Sequence, residues 1–209
     1  MDKKVLLALI GPLPAKVELN ASVLESTDCG TYIREKVEYS TEDGERIPAY
    51  VLIPKEVTTP MPAIFCHHQH NGEFALGKSE VVGLAGDPNQ ALAVELAERG
   101  YIVLAPDAIA FEERNWTKDK SGEAEYFELA TRLVRGHTLL AKVLHDVSVS
   151  LDYLEACRPE VDKTRIGFIG HSYGGRMAIW SPAFDERICV SVSNCGCVNY
   201  KDSLTPNAG

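Results

Sequence analysis

Four short apolar runs decide most of what this chain can fold into. They are Ala63 to Cys66, Tyr101 to Ala105, Arg165 to Gly170 and Arg187 to Val192. Each is too short for a helix and too continuous for a sheet with one wet face, so each reads as a strand covered on both sides. Helical patterns lie between them. Asp87-Pro88 offers an N-cap followed by proline at the first helical position, and the pattern runs through Leu92, Leu96 and Ala97 to Gly100. A long pattern starts near Glu123 and breaks near Gly136. Beyond the break, Leu140, Val143, Leu144, Val147, Leu151 and Leu154 share one face. Gly174 to Trp180 is a third helix. Strands alternating with helices imply a mostly parallel sheet with helices on both faces.

Ahead of these runs, Arg34 to Ser40 alternates in the strand manner, Thr41 to Gly44 has turn chemistry, and Arg46 to Ile53 resumes. Together they form a β-hairpin closed by Pro54. The expected fold class is therefore α/β: three layers, a mostly parallel sheet and an opening antiparallel hairpin. The 209 residues form one domain, with residues 1–30 a helical lead-in, 108–122 a polar loop and 204–209 a loose tail.

Composition narrows the partners. The net charge is −9 and acidic and basic residues are interleaved, so there is no basic stripe to track a phosphate backbone and no nucleic-acid partner is expected. Lys3-Lys4 before Val5 to Ile10 starts as a signal peptide would. The apolar run is short, however, and Pro12-Leu13-Pro14 stands where small cleavage-site residues belong. A helix stopped by Gly11-Pro12 fits better. No stretch reaches membrane-spanning length, so the expectation is a cytoplasmic protein with no membrane partner. Six cysteines are too few for a disulfide scaffold. Cys195-Gly196-Cys197 lacks the spacing of a zinc knuckle or redox pair.

The chemistry sits where the strands end. In open α/β sheets ligands bind outside the carboxyl ends of the strands, and three polar clusters fall there: His67 to Gly72, Asp107 onward, and His171 to Gly175. The last contains Gly170-His171-Ser172-Tyr173-Gly174, set between an apolar strand and a helix. So sharp a turn forces Ser172 into a strained conformation, with small neighbours at Gly170 and Gly174 relieving the crowding. It lifts the hydroxyl above the sheet and puts the Tyr173 N–H, with the helix dipole, where an oxyanion would form. The plain alternative is a glycine-rich turn in which Ser172 only caps the helix. Acyl transfer needs a second oxyanion donor, and the loop after the earlier strand offers a backbone N–H at His70 or Gln69. A rival reading makes His68, His70 and Asp107 metal ligands; it accounts for one cluster where acyl chemistry accounts for two. The expected reading has no metal and no cofactor.

Residues 31–200 resemble the dienelactone-hydrolase-like and acetyl-xylan-esterase-like branch of the α/β-hydrolase superfamily. The likeness rests on the hairpin, the His67 to Gly72 loop, Asp87 to Gly100 with Tyr101 to Asp107, and the Gly170 to Gly175 turn. Gly77 to Asn89 and Phe111 to Asn115 resemble a bacterial hydrolase subgroup within it. The resemblance implies a serine hydrolase of small-molecule carboxylic esters, with Ser172 as nucleophile and an oxyanion hole from Tyr173 and the loop near His70.

One element departs from that pattern. The family places its acid and its histidine after the nucleophile, whereas all six histidines here (His67, His68, His70, His137, His145 and His171) precede Ser172. A serine hydroxyl is a poor nucleophile without a base. The expectation is thus a C-terminally incomplete member whose base comes from further chain, from a partner subunit, or from His70 across the pocket. His171 is expected to pack or hydrogen-bond beneath the turn, and Asp202 is a candidate acid. A catalytically impaired binding or assembly module is the alternative. The apolar edge at residues 187–200 is expected to pair with a second copy, an expectation that a clean monomer in light scattering at high concentration would refute.

Overall fold

The structure, a computed structural model, describes residues 3–56, 60–117, 121–197 and 199. Among them seven strands form one sheet in the order β1-β2-β3-β5-β4-β6-β7. The strands are β1 (Ser22–Asp28), β2 (Tyr32–Glu42), β3 (Glu45–Pro54), β4 (Met61–His67), β5 (Ile102–Pro106), β6 (Val161–His171) and β7 (Ile188–Asn194). The β1–β2, β2–β3 and β3–β5 pairs are antiparallel, and the rest of the sheet is parallel. The helices are α1 (Lys3–Ile10), α2 (Lys78–Val81), α3 (Leu92–Glu98), α4 (Glu123–Val134), α5 (Leu139–Cys157) and α6 (Tyr173–Phe184).

The pleat sorts neighbouring residues onto opposite faces. Val51, Phe65, Ile102 and Leu104 join the core built with α1, α5 and α6. Leu52, Cys66, Val103 and Ala105, each one residue away, join the core under α2 and α3. The fully buried Val, Leu, Ile and Phe side chains among these stabilise the fold by roughly 1.5–3 kcal/mol each. All of β5 is buried, which is why its sequence carries no polar alternation.

Local signals set the element ends. The β2–β3 hairpin closes on Asp43-Gly44, with Glu42 opposite Glu45 and Gly44 at φ +75°. The break between α4 and α5 is made by Gly136 at φ +78° and by Thr138, whose hydroxyl accepts the Ala141 N–H at 3.0 Å. The Asp87 N-cap is used as expected, accepting the Asn89 N–H, but it opens a short 3-10 turn at Pro88–Gln90 before α3 begins.

Two expectations need correction. Residues 1–30 are not wholly a helical lead-in: α1 ends at Ile10, and Ser22–Asp28 forms β1, the outer strand of the antiparallel flank. Its residues are exposed along their whole length, so no alternation marked it as a strand; pairing with β2 made it one. The loop after β5 is not polar at its start either, because Ala108, Ile109, Ala110 and Phe111 are buried. At the other flank β7 is the outer strand among the described residues, with Val190 and Val192 more than half exposed. Asp202 and the tail 204–209 lie outside the described residues.

Candidate active site

Three strand ends converge as their order requires, with β4 flanked by β5 and β6. Between β6 and α6 stands Ser172 at φ 53°, ψ −107°, a conformation that costs a non-glycine residue about 1–3 kcal/mol and persists only where its surroundings enforce it. The Ser172 N–H donates to the Asn194 carbonyl at the end of β7 (2.8 Å), and its carbonyl accepts the Arg176 N–H (2.9 Å). Its side chain makes no capping bond to the helix, so the plain N-cap reading is set aside. Ser172 is half-buried, and Tyr173, as the first residue of α6, keeps an N–H that no helical carbonyl can satisfy.

The glycines around this turn are there for close backbone approach. A Cβ on Gly174 would run into the carbonyls of His67 and His68, and one on Gly170 would strike the Gly174 backbone. Gly175 and Gly196 lie so close that neither has room for a Cβ. The turn is thereby wedged between the end of β4 and the segment after β7. His171, expected to pack or hydrogen-bond beneath it, is half-buried, and its Nδ1 is buried without a hydrogen-bond partner among the described residues.

The loop after β4 is built from histidines with separate tasks. His67 and His68 are buried, and burial pushes them down to about 4 and about 3, so both are neutral at pH 7. His67 Nδ1 faces the His68 carbonyl (2.8 Å). His68 Nε2 accepts the Ala108 N–H (3.0 Å), leaving Nδ1–H to donate to the Gln69 carbonyl (2.7 Å). The same logic fixes His70. Its Nδ1 accepts the Gly72 N–H (3.0 Å), so Nε2–H donates to Glu125 of α4 (3.1 Å). The Gln69 side chain donates to Glu80 at 3.0 Å. The His70 ring also packs on Phe74, Phe111 and Tyr173, with centroids 4.8, 5.1 and 6.1 Å away.

These contacts correct two readings. His70 spends both ring nitrogens on Gly72 and Glu125, so in this arrangement it has no lone pair with which to take a proton from Ser172. His68 likewise has no free nitrogen for a metal, and Asp107 is engaged elsewhere. The Lys78 ammonium, fully buried, lies 2.7 Å from Asp107 and 2.6 Å from each of Glu112 and Glu113. The three carboxylates are close enough together to hold a cation, and the cation there is Lys78. Taking an ammonium out of water costs several kcal/mol, which this many partners offset. Against that burial penalty, Asp107 and Glu112 hold Lys78 above its ordinary range. Burial pushes Asp107 up to about 7 despite the pull of Lys78.

Sequence reading missed this clamp of Lys78 with Glu112 and Glu113, and it missed Glu125 as the partner of His70. Only the apolar Tyr101 to Ala105 run leading into Asp107 hinted that a carboxylate there would need a buried cation. A cavity of about 230 Å³ opens beside the turn, between α4, α5 and α6, and Tyr173 lines it. Among the described residues no helix is long and apolar enough to cross a membrane.

Known proteins share this architecture. The chain is 33% identical over 199 residues to YtaP of Bacillus subtilis, a protein assigned as a hydrolase, a match covering 95% of this chain and 64% of that one. Among solved structures, a Bacteroides fragilis protein assigned as an acetyl xylan esterase superposes with a TM-score of 0.74 at 22% identity, over 89% of this chain and 49% of that one. A glucuronoyl esterase from Solibacter usitatus does so with a TM-score of 0.61 at 20% identity, over 89% and 55%. The chain thus spans less than two thirds of its curated relative and about half of these structures. Identities near 20% speak for the α/β-hydrolase fold alone. Residues 47–204 match the model of the dienelactone hydrolase family, and the chain belongs to that family.

Proposed function

We propose that this protein hydrolyses carboxylic esters through an acyl-enzyme on Ser172. The observation that carries the reading is the backbone of Ser172, held at positive φ on a strand-to-helix turn with its hydroxyl left out of helix capping. Strain of this kind is kept where function uses it. In the reaction, the Ser172 Oγ gives its proton to a base as it attacks the ester carbonyl, the carbonyl oxygen takes up negative charge, the alcohol departs with that proton, and water then attacks the acyl-enzyme to release the acid and restore Ser172. Tyr173 N–H is one donor to that charge, and a backbone N–H of the loop at Gln69 or His70 is the other. The ring contacts of His70 hold this loop against Tyr173.

The general base is a separate matter. With His68 and His70 committed to other partners, neither takes the proton-accepting role in this arrangement. The impaired-module reading draws on the same commitments. The test uses a short-chain p-nitrophenyl ester with and without Ser172→Ala, and with imidazole as a diffusible base. Expected is Ser172-dependent turnover that imidazole raises at least about tenfold, since a positioned base contributes about 10²–10⁴-fold. Absence of turnover, together with absence of fluorophosphonate labelling at Ser172, would favour the module.

A further inference from the structure

The cavity beside Ser172 has a composition that selects a ligand. Its walls are Leu139, Leu140 and Val143 of α5 with Met177 and Trp180 of α6, and Tyr173, the residue after the serine, also lines it. Among the described residues, Glu125 and Arg176 are its only charged lining residues. They carry opposite charges, and Glu125 is already bonded to His70, so a charged ligand would gain from one what it loses to the other. Five of its eight lining residues, Leu139, Leu140, Val143, Met177 and Trp180, are apolar, so a neutral apolar group gains more from these walls than a sugar hydroxyl does. At roughly 30 Å³ for each water-sized group, 230 Å³ holds about seven or eight heavy atoms. That is well under the size of a drug-binding pocket.

The geometry points to an acyl-binding pocket for a neutral, apolar group, a linear chain of about four to seven carbons or a single six-membered ring. This rests on Ser172 being the nucleophile and adds to it the class of acid that the ester carries. Tyr173 gives the connection. It follows the serine in sequence, its N–H faces the developing charge, and its side chain borders the pocket. An acyl group bound at Ser172 therefore has the cavity beside its first carbons. Met177 lies one turn further along α6 and Trp180 about one turn beyond it, both lining the cavity.

Chain-length kinetics test the proposal. The substrates are the p-nitrophenyl esters of acetate, butyrate, hexanoate and octanoate, with imidazole added. Burying each methylene is worth about fourfold, so kcat/KM is expected to rise at least about 20-fold from acetate to hexanoate and to fall again at octanoate. Leu140→Trp, which fills the cavity, is expected to lower the hexanoate-to-acetate ratio at least about tenfold, and Trp180→Ala to move the optimum to octanoate. A flat series, or a ratio unchanged by Leu140→Trp, would overturn the pocket while leaving the serine hydrolase intact. Should no ester be turned over in a Ser172-dependent way, the hydrolase reading fails and the pocket is judged by binding. The chain has two tryptophans, so Trp116→Phe isolates Trp180. Its emission is expected to shift saturably with hexan-1-ol and not with ethylene glycol, and no shift with hexan-1-ol overturns the pocket as well.

Discussion

The turn at Ser172 and the loop after β5 are both strained, and they are held in opposite ways. Ser172 sits at φ 53°, and the β5 loop carries Ala110 at φ 70° and Glu112 at φ 44°. At the serine, backbone packs directly on backbone where side chains are missing: Gly174 on the end of β4, Gly175 on Gly196. At the β5 loop, charge does the holding. Lys78 reaches in from α2 to Asp107, Glu112 and Glu113, and Glu112 also accepts from the Ser79 N–H and hydroxyl. Backbone contact fixes one turn with little room for adjustment. The ion cluster fixes a longer stretch from one side chain, and its strength depends on every partner being present.

The largest expected effect breaks the second device. Lys78→Met leaves three carboxylates crowded around a buried apolar chain, and losing one partner of a buried ion pair costs about 3–5 kcal/mol. Urea unfolding should show a loss of this size. A loss below about 1 kcal/mol would mean that the clamp contributes little beyond its own desolvation.

Gly174→Ala tests the first device. The added Cβ would clash with the His67 carbonyl, and overpacking of this sort costs about 1–3 kcal/mol. Because the clash is at the serine turn, fluorophosphonate labelling of Ser172 should fall much further than stability does. The two falling together would show that the turn needs the glycine only for folding.

The smallest effect per step concerns pH and separates the contributions at the strand ends. His67 and His68 have folded pKa values below their unfolded one, so the unfolded chain binds more protons and stability is lost as pH drops from about 6.5. Asp107 has the opposite sign. Its folded value lies above the unfolded one, so its contribution is present in acid and lost as pH rises from about 4 to about 7. Each group contributes about 1.4 kcal/mol per pH unit, and two rings against one carboxyl leave a net loss of about that size per unit between pH 6.5 and 4.5. In His68→Asn one ring remains against the carboxyl, and the slope of unfolding free energy with pH should flatten to near zero. An unchanged slope would show that His68 is not buried as a neutral ring.

How far the sequence could be read follows from the same contrast. The serine turn was legible because glycine spacing between an apolar strand and a helix is a local pattern, and a local pattern carries its own geometry. The β2–β3 hairpin and the α4–α5 break at Gly136 were legible for that reason too. Strand β1 was not, since Ser22–Asp28 has no buried face and exists through its pairing with β2. Nor were the partners of His70. A ring seven residues before Gly77 gave no sign that it would meet Glu125, which is 55 residues away in the chain. Reading His70 as a possible base failed because ring chemistry was visible in the sequence and ring commitments were not.

By itself the sequence determined the parallel order of apolar strands, the opening hairpin, and the placing of Ser172 on a turn that only glycines permit, because each of these depends on residues close together along the chain. The tertiary structure alone decided which ring nitrogens of His68 and His70 are committed, that Lys78 sits among Asp107, Glu112 and Glu113, and that a cavity lies beside Tyr173. Those depend on groups from separate elements meeting in a space without water, where a charge or a ring nitrogen must find a partner.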